Sequence, residues 1–227
     1  MKISTYAITI ITSLFLTINI VNAQAFQKGN KNIDLGLGVG AYGTTTTFTV
    51  SFFGIPLSFT ENDGAASTMV PISFEYGISN KIGLGVQLGY SNYFIDDSND
   101  VKVNGIETGE KEVNTTESVK SIDFAIKINF HLLNAEKNDL FIGLALGGSS
   151  VNWLDKSGEE LKGSGSYVSL YLTDRIFFSD HIGILFNLGY TGYQYANVTS
   201  SSNSSFITSL EWKLKGVNIG TGLAVKF

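Results

Sequence analysis

The stretch Gly216–Phe227, GVNIGTGLAVKF, decides how the rest of the chain is interpreted. Its even positions hold glycine, asparagine, alanine and lysine, and its odd positions hold Val217, Ile219, Thr221, Leu223, Val225 and Phe227. Because successive side chains of a β-strand point to opposite faces, this alternation predicts a strand with one apolar face and one small or polar face. The stretch ends on an aromatic residue with no polar tail, which is unusual for a soluble domain.

The same alternation recurs along the chain. Seven further stretches show it, so the predicted strands are 33–42, 70–78, 82–91, 121–130, 140–147, 167–176, 182–190 and 206–227. Glycine, alanine and serine occupy most positions on the second face of these strands. Small side chains suit a narrow interior that is crowded by facing strands, whereas a face in water would be rich in lysine, glutamate and threonine.

The connections between these strands alternate in length. Short turns such as 80–81 and 179–181 alternate with longer segments, which are 44–67, 96–118, 152–164 and 196–205. An even number of antiparallel strands with short turns at one end and long loops at the other is typical of bacterial outer-membrane barrels. The sequence therefore predicts an all-β fold, an eight-stranded antiparallel transmembrane β-barrel with an up-and-down meander. A secreted soluble barrel or sandwich is the alternative, because its strands also alternate.

Aromatic residues end the apolar faces of the predicted strands. At the short-turn end they are Tyr76, Phe130, Phe178 and Phe227, and at the long-loop end they are Tyr90, Tyr93, Phe94, Tyr190, Tyr193 and Tyr195. Outer-membrane barrels carry aromatic girdles at both membrane interfaces. We therefore expect these rings at the two interfaces of a bilayer.

The N-terminus predicts export. Lys2 is followed by a mostly apolar run from Tyr6 to Ile20 and then by Val21–Ala23, a small-residue cleavage site. This order predicts that residues 1–23 are a signal peptide and that residues 24–227 are the barrel domain, located in the cell outer membrane of a Gram-negative bacterium. The alternative, a transmembrane anchor, needs about 20 apolar residues, and serine, threonine and asparagine dilute this run.

Composition excludes several classes of protein. The chain contains no cysteine, which excludes a disulfide framework, a thiolate metal site and a lipidated N-terminal cysteine. The formal net charge of −5 argues against nucleic acid as a partner, because nucleic-acid binders carry basic patches. Much of the acidity lies in 96–118, which holds seven acidic residues and two lysines. No cofactor and no metal site are predicted.

The apolar parity changes within the closing stretch. Leu210, Trp212 and Leu214 lie on even positions, whereas the apolar residues after Lys215 and Gly216 lie on odd positions. A β-bulge adds one residue to a strand and so shifts its parity. The sequence therefore predicts a bulge at Lys215 and Gly216.

One hairpin carries a resemblance to a known family. Residues Arg175–Tyr190, RIFFSDHIGILFNLGY, resemble a hairpin of small porin-like outer-membrane β-barrel proteins, which include barrels of the OmpX and OmpW types. This chain departs from the pattern at Asp174, where a small residue is usual, and at Asn187, where an acid is common. Asp174 also lies on the lipid-facing parity. The resemblance implies location and topology, because the family has no single activity.

Charged residues on the inward parity form a candidate site. An unpaired buried charge is costly, so acids and bases at similar depth in a narrow lumen are expected to pair. We predict a lumen polar plug that closes the barrel and stabilises it, formed by Asp34, Glu75, Asp123, Lys127, Arg175 and Lys226. A proton or cation relay through the same residues is the alternative.

The histidines argue against an enzyme. Enzymatic small barrels, namely lipid A acyltransferases and deacylases and omptin-type proteases, resemble one another in placing a histidine and its partners toward the outer end. Here His131 and His181 fall at or beside short turns, so both are interpreted as turn residues. We therefore predict no catalytic residues and no enzymatic activity.

The predicted function is a structural or surface-interaction role. The lumen is filled with side chains, and the loops 44–67 and 96–118 would contact a surface ligand. The other expected partners are outer-membrane lipid, lipopolysaccharide and the barrel-assembly machinery, with Leu223, Val225 and Phe227 as the barrel-closing C-terminal signal. The alternative is a narrow porin or transporter of small solutes, hydrophobic ones included, because glycines on the inward face leave room.

Overall fold

The computed structural model describes residues 24–53, 55–95, 98–103, 106–113, 116–200 and 207–227. The predicted signal peptide, residues 1–23, lies outside these ranges and stays a prediction. In the described part of the chain, no helix is long and apolar enough to cross a membrane.

Ten strands form in the described residues. They are β1 Lys31–Phe52, β2 Ile55–Gly77, β3 Ile82–Ile95, β4 Ser98–Val103, β5 Ile106–Val113, β6 Thr116–Asn134, β7 Asn138–Asp155, β8 Glu160–Phe177, β9 Ile182–Ser200 and β10 Ile207–Lys226. Eight of them close into an antiparallel barrel in the order β1-β10-β9-β8-β7-β6-β3-β2, while β4 and β5 pair as a separate two-stranded sheet. The predicted eight-stranded meander is therefore confirmed.

The first and last barrel strands meet along a continuous seam. Their pairing runs without a shift from Asn32 opposite Lys226 to Thr49 opposite Ser209. At the lower end, Lys31 N donates to Phe227 O at 3.3 Å, and Phe227 N donates to Lys31 O at 2.9 Å. The seam removes the two edges that an open sheet would leave at this point.

The barrel has two halves of different polarity. On β1 and β10, the lower half runs from the short turns to the level of Gly40 and Asn218, and the upper half runs from Tyr42 to the outer tips. In the lower half, the outward side chains are aliphatic and exposed; on these two strands they include Ile33, Leu35, Leu37, Val39, Val217, Ile219 and Leu223. In the upper half, threonine, lysine and glutamate take the outward positions of the same strands.

The predicted bulge at Lys215 and Gly216 is wrong. Gly216 pairs with Tyr42 and Lys215 with Gly43, and the register on the β9 side is equally regular. The apolar residues move from even to odd positions because the apolar face of β10 points into the barrel above this level and away from it below. Trp212 and Leu214 are buried inside the barrel, whereas Lys215 points outward and is exposed.

The segments predicted as long loops are largely strand. β1 and β2 stay paired to their tips, where Phe52 lies opposite Ile55, and we name the described part of 44–67 the β1–β2 ribbon. Its β1 strand also pairs with β10 as far as Val50. Its outer face carries a ladder of side-chain hydrogen bonds of 2.8–3.2 Å, which join Thr45 to Asn62, Thr47 to Thr60 and Thr49 to Ser58. Within 96–118 the structure places the β4–β5 hairpin. Strands β7, β8 and β9 likewise extend into the segments 152–164 and 196–205.

Asp174, which departs from the family pattern, lies in a regular part of β8. Asp174 keeps a regular register opposite Leu140, and its half-buried carboxylate accepts a hydrogen bond of 2.9 Å from Asn138 Nδ2.

The aromatic girdle is only partly as predicted, because three of the expected interface rings are buried inside the barrel. These are Tyr93, Tyr193 and Tyr195.

Candidate functional site

The lower lumen is built around one guanidinium group. Arg175 on β8 is fully buried. Its Nε and Nη2 donate to the two oxygens of Asp34 at 2.9 and 2.7 Å, a bidentate pair that fits the guanidinium geometry. Its Nη1 lies 2.7 Å from Glu75 Oε2 and 3.0 Å from Asp139 Oδ2. Strands β1, β2 and β7 therefore each supply one carboxylate to Arg175, and we name these four residues with His131 the Arg175 cluster.

His131 joins two of these carboxylates. It lies on β6 and is 1% exposed, with Nδ1 2.5 Å from Asp139 Oδ1 and Nε2 3.2 Å from Glu75 Oε1. A carboxylate oxygen accepts but does not donate hydrogen bonds, so these contacts require a proton on both ring nitrogens. A ring protonated on both nitrogens would donate to both carboxylates. The interpretation of His131 as a turn residue is wrong, because β6 continues through it to Asn134.

Lys127 is connected to the Arg175 cluster through a hydroxyl group. Its Nζ donates to Ser73 Oγ at 3.0 Å, and Ser73 Oγ donates to Asp34 Oδ2 at 3.2 Å. The ammonium also lies 4.9 Å from the centre of the Tyr171 ring, within the range of a cation–π contact. With a doubly protonated His131, the side chains of Lys127, Arg175 and His131 would carry three positive charges against the three carboxylates of the cluster.

The remaining predicted plug residues lie elsewhere. Asp123 is higher in the lumen, where it accepts hydrogen bonds from Ser149 at 2.5 Å, from Tyr193 at 3.2 Å and from Ser121 at 3.3 Å. Lys226 lies with its Nζ 4.9 Å from the Phe177 ring centre. The structure thus brings together Asp34, Glu75, Lys127 and Arg175 of the six predicted residues. It adds Asp139 and His131, which the sequence analysis placed in turns.

A second layer of side chains fills the upper lumen. Five rings pack edge-to-face or stacked with centroids about 6 Å apart, as between Tyr195 and Trp212 at 5.6 Å and between Tyr93 and Trp212 at 5.8 Å. Each is at most 4% exposed, and together they form the aromatic cluster of Tyr42, Tyr93, Tyr193, Tyr195 and Trp212. Its lower edge reaches Asp123 through the Tyr193 hydroxyl.

A polar chamber of about 80 Å³ lies between the Arg175 cluster and the aromatic cluster. Its lining includes Lys127 at one end, Asp123 at the other and neutral polar side chains between them, among them Gln87, Asn187 and Thr191. A volume of this size holds a few water molecules. The lumen is therefore filled at two levels and open to small polar molecules between them.

Comparisons with known proteins identify the fold. No family model matches the chain, and no curated protein matches it in sequence. Among solved structures, the outer membrane protein OprG of Pseudomonas aeruginosa matches over 91% of this chain and 99% of its own, with 13% identity and a TM-score of 0.60. The outer membrane protease OmpT of Escherichia coli covers 87% of this chain and 97% of its own, with 11% identity and a TM-score of 0.46. The outer membrane protein AlkL covers 92% and 95%, with 11% identity and a TM-score of 0.46. The likeness to OprG shows that the chain has the fold of an outer-membrane β-barrel protein.

Proposed function

We propose that this chain is a scaffold protein of a bacterial outer membrane, with a closed lumen and a surface-interaction role carried by its upper end. The observation that carries this proposal is the filling of the lumen at two levels, by the Arg175 cluster below and by the aromatic cluster above. A lumen blocked twice by packed side chains gives ions no continuous water path. The fold of an outer-membrane barrel and the aliphatic exterior of the lower half support the membrane location.

The β1–β2 ribbon is the proposed contact surface. One of its faces carries the threonine ladder, and the other exposes large apolar side chains: Ile55 is 64%, Leu57 46% and Phe59 58% exposed. Exposed apolar groups gathered in one patch are typical of interaction sites. The ribbon therefore presents the proposed surface ligand with an apolar face, and the segment 96–118, which holds seven acidic residues, is the second proposed contact region. Lipid and lipopolysaccharide would surround the lower half, and the assembly machinery would bind Leu223, Val225 and Phe227.

We also propose that the chain is not an enzyme. Both ring nitrogens of His131 contact carboxylates, and the ring is buried, so neither nitrogen faces a substrate. His181 Nδ1 lies 2.9 Å from Lys226 O at the lower rim. A general base needs a free nitrogen within reach of a substrate proton, which this arrangement of His131 does not offer.

Transport of small solutes is the second candidate function. The polar chamber favours it, because the chamber provides room between the two closed layers and places Lys127 at one end and Asp123 at the other. A transporter would need both layers to open, whereas a scaffold keeps them closed. The two candidates therefore differ in whether ions pass through the folded protein.

Single-channel recording distinguishes the two functions. Protein that is shown to be folded, by a shift in gel mobility on heating, is inserted into a planar lipid bilayer. The scaffold proposal predicts no discrete openings. Openings of uniform size would contradict it and support transport, with Lys127 and Arg175 as the first residues to test for ion selectivity.

The surface role is tested on the ribbon. Leu57→Ser combined with Phe59→Ser removes the apolar face, and the attachment of cells that display the protein to an apolar surface should fall. Thr60→Ser is the matched control, because it lies on the opposite face of the same strand. Equal attachment of all three strains would count against the ribbon as the contact surface.

A further inference from the structure

The first described residues cross the lower mouth of the barrel. We name residues 24–30 the N-terminal strap. Phe26 is fully buried and stacks on His131, with ring centroids 3.4 Å apart and planes 9° apart. Ala25 is also fully buried, in an apolar cluster with residues of β8, β9 and β10, namely Phe177, Leu185 and Ala224. The strap therefore contacts opposite sides of the mouth and covers the Arg175 cluster from below.

Asn134 at the end of β6 holds the centre of the strap. Phe26 N donates to Asn134 Oδ1 at 2.8 Å, and Asn134 Nδ2 donates back to Phe26 O. Ala25 N donates to Ala135 O at 2.7 Å in the adjoining turn. One carboxamide thus satisfies both backbone groups of the residue whose side chain fills the mouth. Asn134 fixes the position of the Phe26 ring over His131.

Gly77 at the end of β2 receives the other end of the strap. Gly29 N donates to Gly77 O at 2.8 Å, and Gly77 N donates to Asn30 O at 2.9 Å. A Cβ at this position would collide with Gln27 O and would lie 3.1 Å from Phe26 Cζ. Glycine is therefore required here by the close approach of the strap, and a larger residue at 77 would displace it.

The strap is anchored differently from the rest of the barrel. The barrel strands are held by continuous ladders on both sides. The strap is held by separate backbone hydrogen bonds, by the side-chain amides of Asn134 and Asn80 and by two buried apolar side chains. Ordering seven residues costs conformational entropy of the same order as these contacts return. Such a segment opens locally far more easily than a strand with partners on both edges.

We propose that residues 24–30 form a gate at the lower mouth, which keeps water and solutes from the Arg175 cluster and leaves the mouth while the barrel stays closed. When the strap leaves, His131 and the carboxylates of Glu75 and Asp139 face the compartment below the barrel. Because the upper end is proposed to lie at the cell surface, this compartment is the periplasm. The gate acts on the lower layer alone, because the aromatic cluster closes the upper lumen independently.

Thiol labelling tests the gate, because the chain has no cysteine of its own. Ala224→Cys places a single thiol on the lumen side of the strap, beside Ala25. A cationic methanethiosulfonate reagent is applied to the protein purified from outer membranes in detergent. The labelling rate should be slow with the strap intact and should rise at least about tenfold when Phe26→Ala or Gly77→Val is added, since local opening controls access.

Three controls make the outcome specific. Lys28→Ala changes an exposed strap residue and should leave the rate at Ala224→Cys unchanged. Ala145→Cys, fully buried on β7 in the lumen, should stay unreactive in the same backgrounds. Ser157→Cys in an exposed turn gives the rate for an open site. Heat-dependent gel mobility shows that each variant is folded.

Two results would overturn the gate. If Ala224→Cys labels as fast as Ser157→Cys while the strap is intact, the strap does not close the mouth. If neither Phe26→Ala nor Gly77→Val changes the rate, or if Ala145→Cys accelerates equally, the strap does not control access to the lower lumen. Both results are independent of channel recordings, so failure of the gate is distinguishable from failure of the scaffold proposal.

Discussion

The lower and upper halves of the barrel use the same strands with opposite polarity. On β10, Ile219 in the lower half faces outward and is 61% exposed, while the neighbouring inward residue is the buried amide Asn218. In the upper half of the same strand, Leu214 is fully buried inside, and Lys213 faces outward. The lower half therefore resembles a membrane protein in cross-section, and the upper half resembles a soluble barrel.

The surroundings of each half explain this reversal. A strand presents one face to the interior and one to the exterior at every level, so the solvent outside decides which residue type is stable on each face. In the proposed membrane location, lipid outside the lower half favours aliphatic residues there and leaves charges to pair inside. Water outside the upper half favours the threonine ladder there, and the hydrophobic effect drives the aromatic cluster into the interior.

The largest effect is expected from the interior of the lower half. Arg175→Met leaves three buried carboxylates with too few partners, and breaking a buried ion network by removing one member costs about 3–5 kcal/mol. The free energy of unfolding should fall by that amount in urea titrations of vesicle-inserted protein. Lys226→Met is the matched control, because Lys226 has a cation–π contact with Phe177 and should lose less than about 1 kcal/mol. Equal urea midpoints for wild type and Arg175→Met would show that the network does not stabilise the barrel.

The interior of the upper half comes next. Leu214→Ala leaves a cavity among the rings of the aromatic cluster and should cost about 3 kcal/mol, within the range for buried leucines. Lys213→Ala, one residue away on the water-facing side, should cost no more than about 0.5 kcal/mol. The same urea titration measures both variants. Similar losses of unfolding free energy for Lys213→Ala and Leu214→Ala would be inconsistent with a packed core in the upper half.

The exterior faces give the third contrast. Ile219→Arg puts a charge on the aliphatic exterior of the lower half, and such a charge costs about 2–3 kcal/mol near the middle of a bilayer. Thr47→Arg places the same side chain on the exterior of the upper half, where it should change stability by less than about 0.5 kcal/mol. Refolding yield and urea midpoint in lipid vesicles distinguish the two. Tolerance of arginine at both positions would place the lower exterior in water.

The smallest effect concerns a charge on the upper exterior. The Gln194 amide donates to Glu211 Oε1 at 2.7 Å and, with Lys213, lowers the pKa of Glu211 below its ordinary value. A carboxyl group whose pKa is lowered by folding stabilises the folded state above its unfolded pKa, about 4.3, and this contribution is lost as pH falls through the folded pKa. Glu211→Gln should therefore cost at most about 0.5 kcal/mol at pH 7 and less at pH 3. A larger loss of unfolding free energy at pH 3 than at pH 7 would contradict a lowered pKa of Glu211 in the folded protein.

The sequence predicted the lower half well because its exterior alternates with few exceptions. Residues such as Leu35 and Ile219 identify the strands, and inward charges such as Glu75 and Arg175 identify the site. The upper half was misinterpreted because the apolar face there points inward. The threonine run at 44–47 was therefore assigned to a loop, and the exchange of faces at Lys215 was assigned to a bulge.

Two residues of the Arg175 cluster, His131 and Asp139, were not predicted for a different reason. His131 and Asp139 lie beyond the aliphatic run that marks each strand, so they were assigned to turns. Both keep the inward parity of their strands, which they share with Asn129 and Phe141. Extending the predicted strands 121–130 and 140–147 by one residue each would have found them. The pairing of a guanidinium with three carboxylates from three strands depends on the closed ring and has no local signature in the sequence.

The seam between Lys31 and Phe227 sets the order of events in folding. These residues are nearly the whole chain apart in sequence, yet each donates its backbone N–H to the other. The ring cannot close until the last residues of β10 reach β1, so every shorter nascent chain exposes two strand edges that attract other strands. Contacts between such distant residues also form slowly. Closure of the ring therefore needs both β1 and β10, and until these two strands pair the sheet keeps two unpaired edges.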